Sequence, residues 1–152
     1  APVDAVGDGL IATRTSSAVT VYDAAGKLVR ALPFAPADVY AARLDGSRLV
    51  VARYFELALE SYDVATGARA GSRPLPFGYE LVDVDGGVAV LQSLNTLMLL
   101  RLDDGHSFTL TPGLAPVLAD LEAAGLYYSS TGTDGAGRLT YLPRAEVTRR
   151  LG

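Results

Sequence analysis

Apolar positions along this chain come in short runs such as AVTVY, LVVAR and VAVLQ, and glycine, proline, aspartate or serine closes nearly every one of them. Such runs, rich in β-branched and aromatic residues, read as β-strands, because those side chains fit a pleated surface while the closing residues favour turns. The pattern predicts strands at Val3–Val6, Gly9–Arg14, Ala18–Tyr22 and Leu28–Leu32, then at Val39–Leu44, Arg48–Arg53, Ala58–Tyr62 and Ala68–Leu75. A third set follows at Tyr79–Val84, Val88–Ser93, Leu97–Leu102 and Ser107–Thr111, and a fourth at Pro116–Leu121, Leu126–Ser130 and Arg138–Leu142. One stretch competes: Leu114, Val117, Leu118 and Leu121 recur at helical spacing over Leu114–Ala123. The register of the earlier sets puts a strand there, and that reading is preferred. The tail Ala145–Leu151, which follows Pro143 and places Val147 and Leu151 four apart, is predicted to be a short helix.

The sets recur with a fixed period. Val21-Tyr22-Asp23, Ser61-Tyr62-Asp63 and Arg101-Leu102-Asp103 each end a strand in aspartate and turn through Gly26, Gly67 and Gly105, and the aspartates are 40 residues apart. Leu44-Asp45-Gly46 and Val84-Asp85-Gly86 repeat with the same spacing of 40, and Gly125 stands close to one period further on. Proline-marked crossings at Pro33-Phe34-Ala35-Pro36, Pro74-Leu75-Pro76 and Pro112 separate the sets. A period near 40 residues holding four antiparallel strands is the signature of β-propeller blades, each of which must stack on its neighbours to bury both faces. The expected fold is therefore all-β, with about four blades, as a single propeller domain or segment over 1–152 with repeats at approximately 1–36, 37–76, 77–113 and 114–152. A β-sandwich would also use spaced short strands, but it does not call for the recurrence.

Charge and composition narrow the partners. A chain of 152 residues with a net charge of -4 lacks the positive field that phosphate backbones or anionic lipids require, so nucleic acid is not expected. Cysteine is absent, which excludes disulfides and thiolate metal ligands. The longest apolar stretch, Val88–Leu102, is interrupted by Gln92, Ser93, Asn95 and Thr96 and falls short of the roughly 20 residues that cross a bilayer. The start at Ala1-Pro2-Val3 fits a processed protein or part of a longer chain.

The repeated segments VTVYDAAGKLVRALP, ALESYDVATGARAGSRPLP and LMLLRLDDGHSFTLTP, with the closing AGLYYSSTGTDGAGRLTYLPRAEV, resemble the superfamily of WD40-like, YVTN-like and TolB-like propellers, in particular bacterial extracytoplasmic ones. The resemblance implies a secreted or cell-envelope location. It also implies that the chain supplies the C-terminal blades of a larger ring, with the remaining blades of a longer chain as partners. No family residue with a function carries over: there is no Trp, the single His lies in a turn, and Thr133–Gly137 misses the aspartate-box spacing.

Candidate chemistry is sparse. His106 in Asp103-Asp104-Gly105-His106 offers one imidazole beside carboxylates, short of a closed metal site, and Asp83-Val84-Asp85-Gly86-Gly87 lacks the later ligands of a calcium loop. One histidine leaves one candidate base for a serine nucleophile. Neither metal nor cofactor is expected. The remaining constellation sits where the second strand of each blade ends: Arg14, Arg53, Tyr54, Gln92 and Asn95, with Phe55 alongside. Arginine forks and aromatic faces there suit a small anionic ligand or a protein segment. The competing reading takes these as solvated polar residues, with Arg53 paired to Glu56 between blades. The sequence thus points to a non-catalytic scaffold for ligand or protein binding. The alternative is part of a lactonase-like or quinoprotein-like propeller enzyme whose catalytic groups lie in blades outside this chain.

Overall fold

The computed structural model describes residues 3–111 and 118–152. These residues form fifteen strands and one helix. The first sheet holds β1 (Val3–Gly7), β2 (Leu10–Arg14), β3 (Ala18–Asp23) and β4 (Leu28–Pro33). The second holds β5 (Val39–Asp45), β6 (Arg48–Arg53), β7 (Ala58–Asp63) and β8 (Arg69–Pro74), and the third β9 (Glu80–Asp85), β10 (Val88–Gln92), β11 (Leu97–Arg101) and β12 (Ser107–Leu110). The fourth holds β13 (Leu118–Leu121), β14 (Gly125–Thr131) and β15 (Gly137–Pro143), followed by α1 (Arg144–Leu151). Every sheet is an antiparallel meander in chain order, as expected of propeller blades. The strand at Leu118–Leu121 confirms the periodic reading over the helical one for those residues; Pro112, Leu114, Pro116 and Val117 lie outside the described residues. The tail helix is present.

The repeated aspartates explain themselves locally. Asp23 Oδ1 accepts the N–H groups of Ala25 and Lys27, both at 2.9 Å, and Asp63 Oδ1 accepts those of Ala65 at 2.8 Å and Thr66 at 3.1 Å. Each carboxylate thereby satisfies the tight hairpin leading to the outer strand. Gly26, Gly67 and Gly105 take φ of +83°, +75° and +79°, a left-handed conformation open to glycine at little cost.

The chain forms two compact units, residues 1–77 and 78–152. In the first, Ala5, Ala12, Val19 and Val21 of sheet one pack on Leu44, Leu49, Val51 and the half-buried Tyr62 of sheet two. Asp4 adds a polar stitch: its Oδ2 accepts the Ala42 N–H at 2.6 Å. In the second, Val88, Val90, Leu97 and Leu99 of sheet three pack on Ala119, Leu121 and Leu126 of sheet four, and α1 adds Val147 and Leu151. Asp83 repeats the stitch, its Oδ2 accepting the Leu121 N–H at 2.8 Å. In both units an aspartate of one first strand thus holds the first strand of the following sheet, 38 residues on. Within each unit the first sheet presents a trailing face and the second a leading face at their contact.

α1 is tied down at both ends. Arg144 Nη1 reaches Asp85 Oδ2 at 2.8 Å and the Glu122 carbonyl at 2.9 Å, while His106 Nδ1 lies 3.1 Å from the Leu151 carbonyl. The single histidine therefore sits in a structural contact between a hairpin and the helix.

Candidate functional site

In the first unit the candidate residues fall at the ends of β2 and β6. Arg14 Nε lies 3.1 Å from Asp4 Oδ2, and Arg43 Nη1 approaches the same oxygen at 3.3 Å. Arg14 is thus engaged with the carboxylate that stitches sheets one and two.

Arg53 is buried, with 5% of its surface exposed. Its Nε bonds to Asp38 Oδ1, its Nη1 to Glu60 Oε1 at 2.8 Å, and its Nη2 to the Pro36 carbonyl at 3.3 Å. The guanidinium also lies 5.0 Å from the Phe34 ring centroid, and that ring meets Tyr62 edge-on at 5.6 Å. Arg69 completes the set, 3.0 Å from Glu60 Oε2. Burial opposes the charge on Arg53, yet the hydrogen bonds and Coulomb attraction of Asp38 and Glu60 outweigh it and raise its pKa. The Tyr62 hydroxyl is also raised, by burial first and then by Glu60. The pairing of Arg53 with Glu56 is therefore corrected. Register puts Glu60 opposite Val51 on the same face as Arg53, whereas Glu56 is exposed in the connecting turn.

What this network leaves outside is aromatic. Tyr54 and Phe55 follow Arg53 in the β6–β7 turn and are 61% and 69% exposed. Their rings meet edge-on at 5.8 Å, and Tyr40 joins Tyr54 at 6.0 Å. The turn is held from beneath: the Tyr54 N–H donates to the Asp38 carbonyl at 2.9 Å, and the Phe55 N–H donates to Asp38 Oδ2 at 3.3 Å. Asp38 therefore neutralises the buried arginine and fixes the aromatic turn together. Sequence reasoning missed Asp38 and Glu60, although a glutamate inside the strand Ala58–Asp63 was a signal that a buried cation was near.

In the second unit, Gln92 ends β10 and lines a shallow cleft of ≈ 250 Å³ with Gly78, Glu80, Ser93 and Leu94. Asn95 lies in the exposed turn beyond it and accepts a hydrogen bond from Thr96 Oγ1 at 3.4 Å. A separate acidic cluster, Asp83, Asp120 and Glu122, lies where sheets three and four meet. Asp83 is pushed up to about 6, chiefly by burial and further by a hydrogen bond with Asp120, against the pull of the Leu121 and Val84 N–H groups. Glu122 is raised by its hydrogen bond with Asp120. Among the described residues, no three His, Cys, Asp or Glu side chains are grouped to hold a metal ion, and no helix is long and apolar enough to cross a membrane.

No family model matches this sequence, and no curated protein matches it. Solved structures do. Hsv2 of Kluyveromyces marxianus aligns with a TM-score of 0.68 at 8% identity, over 88% of this chain and 45% of that one. BamB of Moraxella catarrhalis gives 0.62 at 10% identity, over 90% and 41%. A chain of the mitotic checkpoint complex gives 0.65 at 15% identity, over 89% and 45%. This chain spans less than half the length of each of them. Sheet topology and these alignments agree on the fold: the sheets are β-propeller blades.

Proposed function

We propose that the chain is a non-catalytic binding scaffold that holds a protein segment against the β6–β7 turn. The carrying observation is the Tyr54–Phe55 pair, exposed yet fixed from below by Asp38. Rigid aromatic side chains contribute large contact area with little ordering cost, which is why they dominate binding surfaces. Because the donors of Arg53 are directed at Asp38, Glu60 and Pro36, an anion has less to hold it here than an apolar side chain has. Glu56 at the turn tip favours a basic neighbour in the bound segment.

Selection from a random peptide library on the purified chain tests this. Enriched sequences should pair apolar with basic residues, and the variant Tyr54→Ala with Phe55→Ala should lose at least about tenfold in affinity at unchanged urea midpoint. Enriched peptides that bind the variant as well as the wild type overturn the assignment. We extend the proposal to an extracytoplasmic location, on the sequence resemblance; recovery of the native protein in the cytosolic fraction would refute that part.

A further inference from the structure

Both units are stitched by an aspartate, but the charges around the two stitches are opposite. In the first unit Asp4 grips the Ala42 N–H of β5, and the residue after Ala42 is Arg43, whose Nη1 lies 3.3 Å from the same carboxylate oxygen. Arg14 of β2 comes within 3.1 Å of that oxygen. Two guanidinium groups thus face the carboxylate, and attraction between opposite charges supports the contact without any proton on it.

In the second unit Asp83 grips the Leu121 N–H of β13, and the residues on either side of Leu121 are Asp120 and Glu122. Asp120 shares one hydrogen bond with Asp83 and another with Glu122. An ionised carboxylate only accepts, so a hydrogen bond between two carboxyl groups exists only while a proton lies between them. The other groups around Asp83 do not replace the cations of the first unit. Val90 stands opposite it on β10, and Tyr127 of β14 stands opposite Asp120. On its own strand Glu80 and Asp85 are acidic. Arg144, at the start of α1, directs its donors at Asp85 and at the Glu122 carbonyl. The apolar part of the contact, Val88 and Val90 against Ala119 and Leu121, persists at any pH, so loss of the proton weakens the stack rather than abolishing it.

We infer that the contact between sheets three and four is a proton-dependent joint: a proton held between Asp83 and Asp120 fastens β13 to β9, and its release loosens β13 while the arginine-flanked contact between sheets one and two stays closed. Burial and the Asp120 bond lift Asp83 from 3.8 to about 6. The joint is therefore fastened in acidic surroundings and loosens as pH rises through that value.

Amide hydrogen exchange followed by NMR tests this, with rates corrected for the intrinsic pH dependence of exchange. Between pH 5 and pH 7.5 the protection of Leu121 should fall about tenfold, the factor by which a pKa of about 6 when closed and 3.8 when open moves the opening equilibrium. Ala42 should keep its protection over the same range. Asp83→Asn, whose amide oxygen still accepts the Leu121 N–H, should make that protection independent of pH. Asp120→Asn is the second variant should Asp83→Asn fail to fold; it removes the facing carboxyl and should cut the fall to a fewfold. Leu121 protection that ignores pH, an equal fall at Ala42, or a fall left whole in the variants overturns the inference.

Discussion

Replacing Arg53 by methionine keeps the apolar stem but removes the cation between Asp38 and Glu60. Both carboxylates are enclosed, with 0% and 5% of their side-chain surfaces exposed. Asp38 would retain the Phe55 N–H and Glu60 would retain Arg69, so neither is stripped bare. Breaking a buried ion pair from one side costs about 3–5 kcal/mol, because the remaining charge is left without its counterion. For a chain of this size that corresponds to a fall in Tm of roughly 6–20 °C. Urea unfolding followed by circular dichroism at pH 7 measures the loss. A variant that also carries Asp38→Leu and Glu60→Met should recover much of it, because no buried charge is then left without a counterion. A loss below about 1 kcal/mol, or a triple variant no more stable than Arg53→Met, would refute the reasoning.

Asp83, raised from 3.8 to about 6 in the folded chain, binds a proton more readily folded than unfolded. Its contribution to stability is therefore present below pH 3.8 and lost as pH rises through about 6. Asp83→Asn should flatten that slope in urea titrations, and an unchanged slope would count against it. Gly125→Ala should destabilise the second unit by about 2 kcal/mol or more, because a Cβ there would lie 2.3 Å from the Leu142 carbonyl oxygen; an unaltered urea midpoint would refute the clash. A single propeller domain should unfold in one calorimetric transition, whereas two resolved transitions would make residues 1–77 and 78–152 separate domains.

The architecture was legible because its punctuation is chemical. Asp23 and Asp63 mark hairpins since their carboxylates bond the turn itself, so a spacing in the sequence maps directly onto a spacing of sheets. The same period identified β13 where Leu118 and Leu121 alone looked helical. Arg53 was not legible in the same way. Its environment depends on Asp38, fifteen residues earlier, and Glu60, seven later, and their convergence is set by strand register rather than local pattern. Position at the end of a strand was readable for Arg14, Arg53 and Gln92, but the burial of Arg53 was not, because a charged residue at a strand end normally faces water.

The meander order of every sheet carries a consequence for how such a chain changes over generations. Among the described residues no strand pairs with one from another repeat, so duplicating or deleting a whole repeat would leave the remaining hydrogen-bonded ladders intact. Selection would then act chiefly on the fit between one sheet's trailing face and the next sheet's leading face. Repeat number can drift cheaply in such a fold, while the side chains on the two faces of each sheet must change in concert.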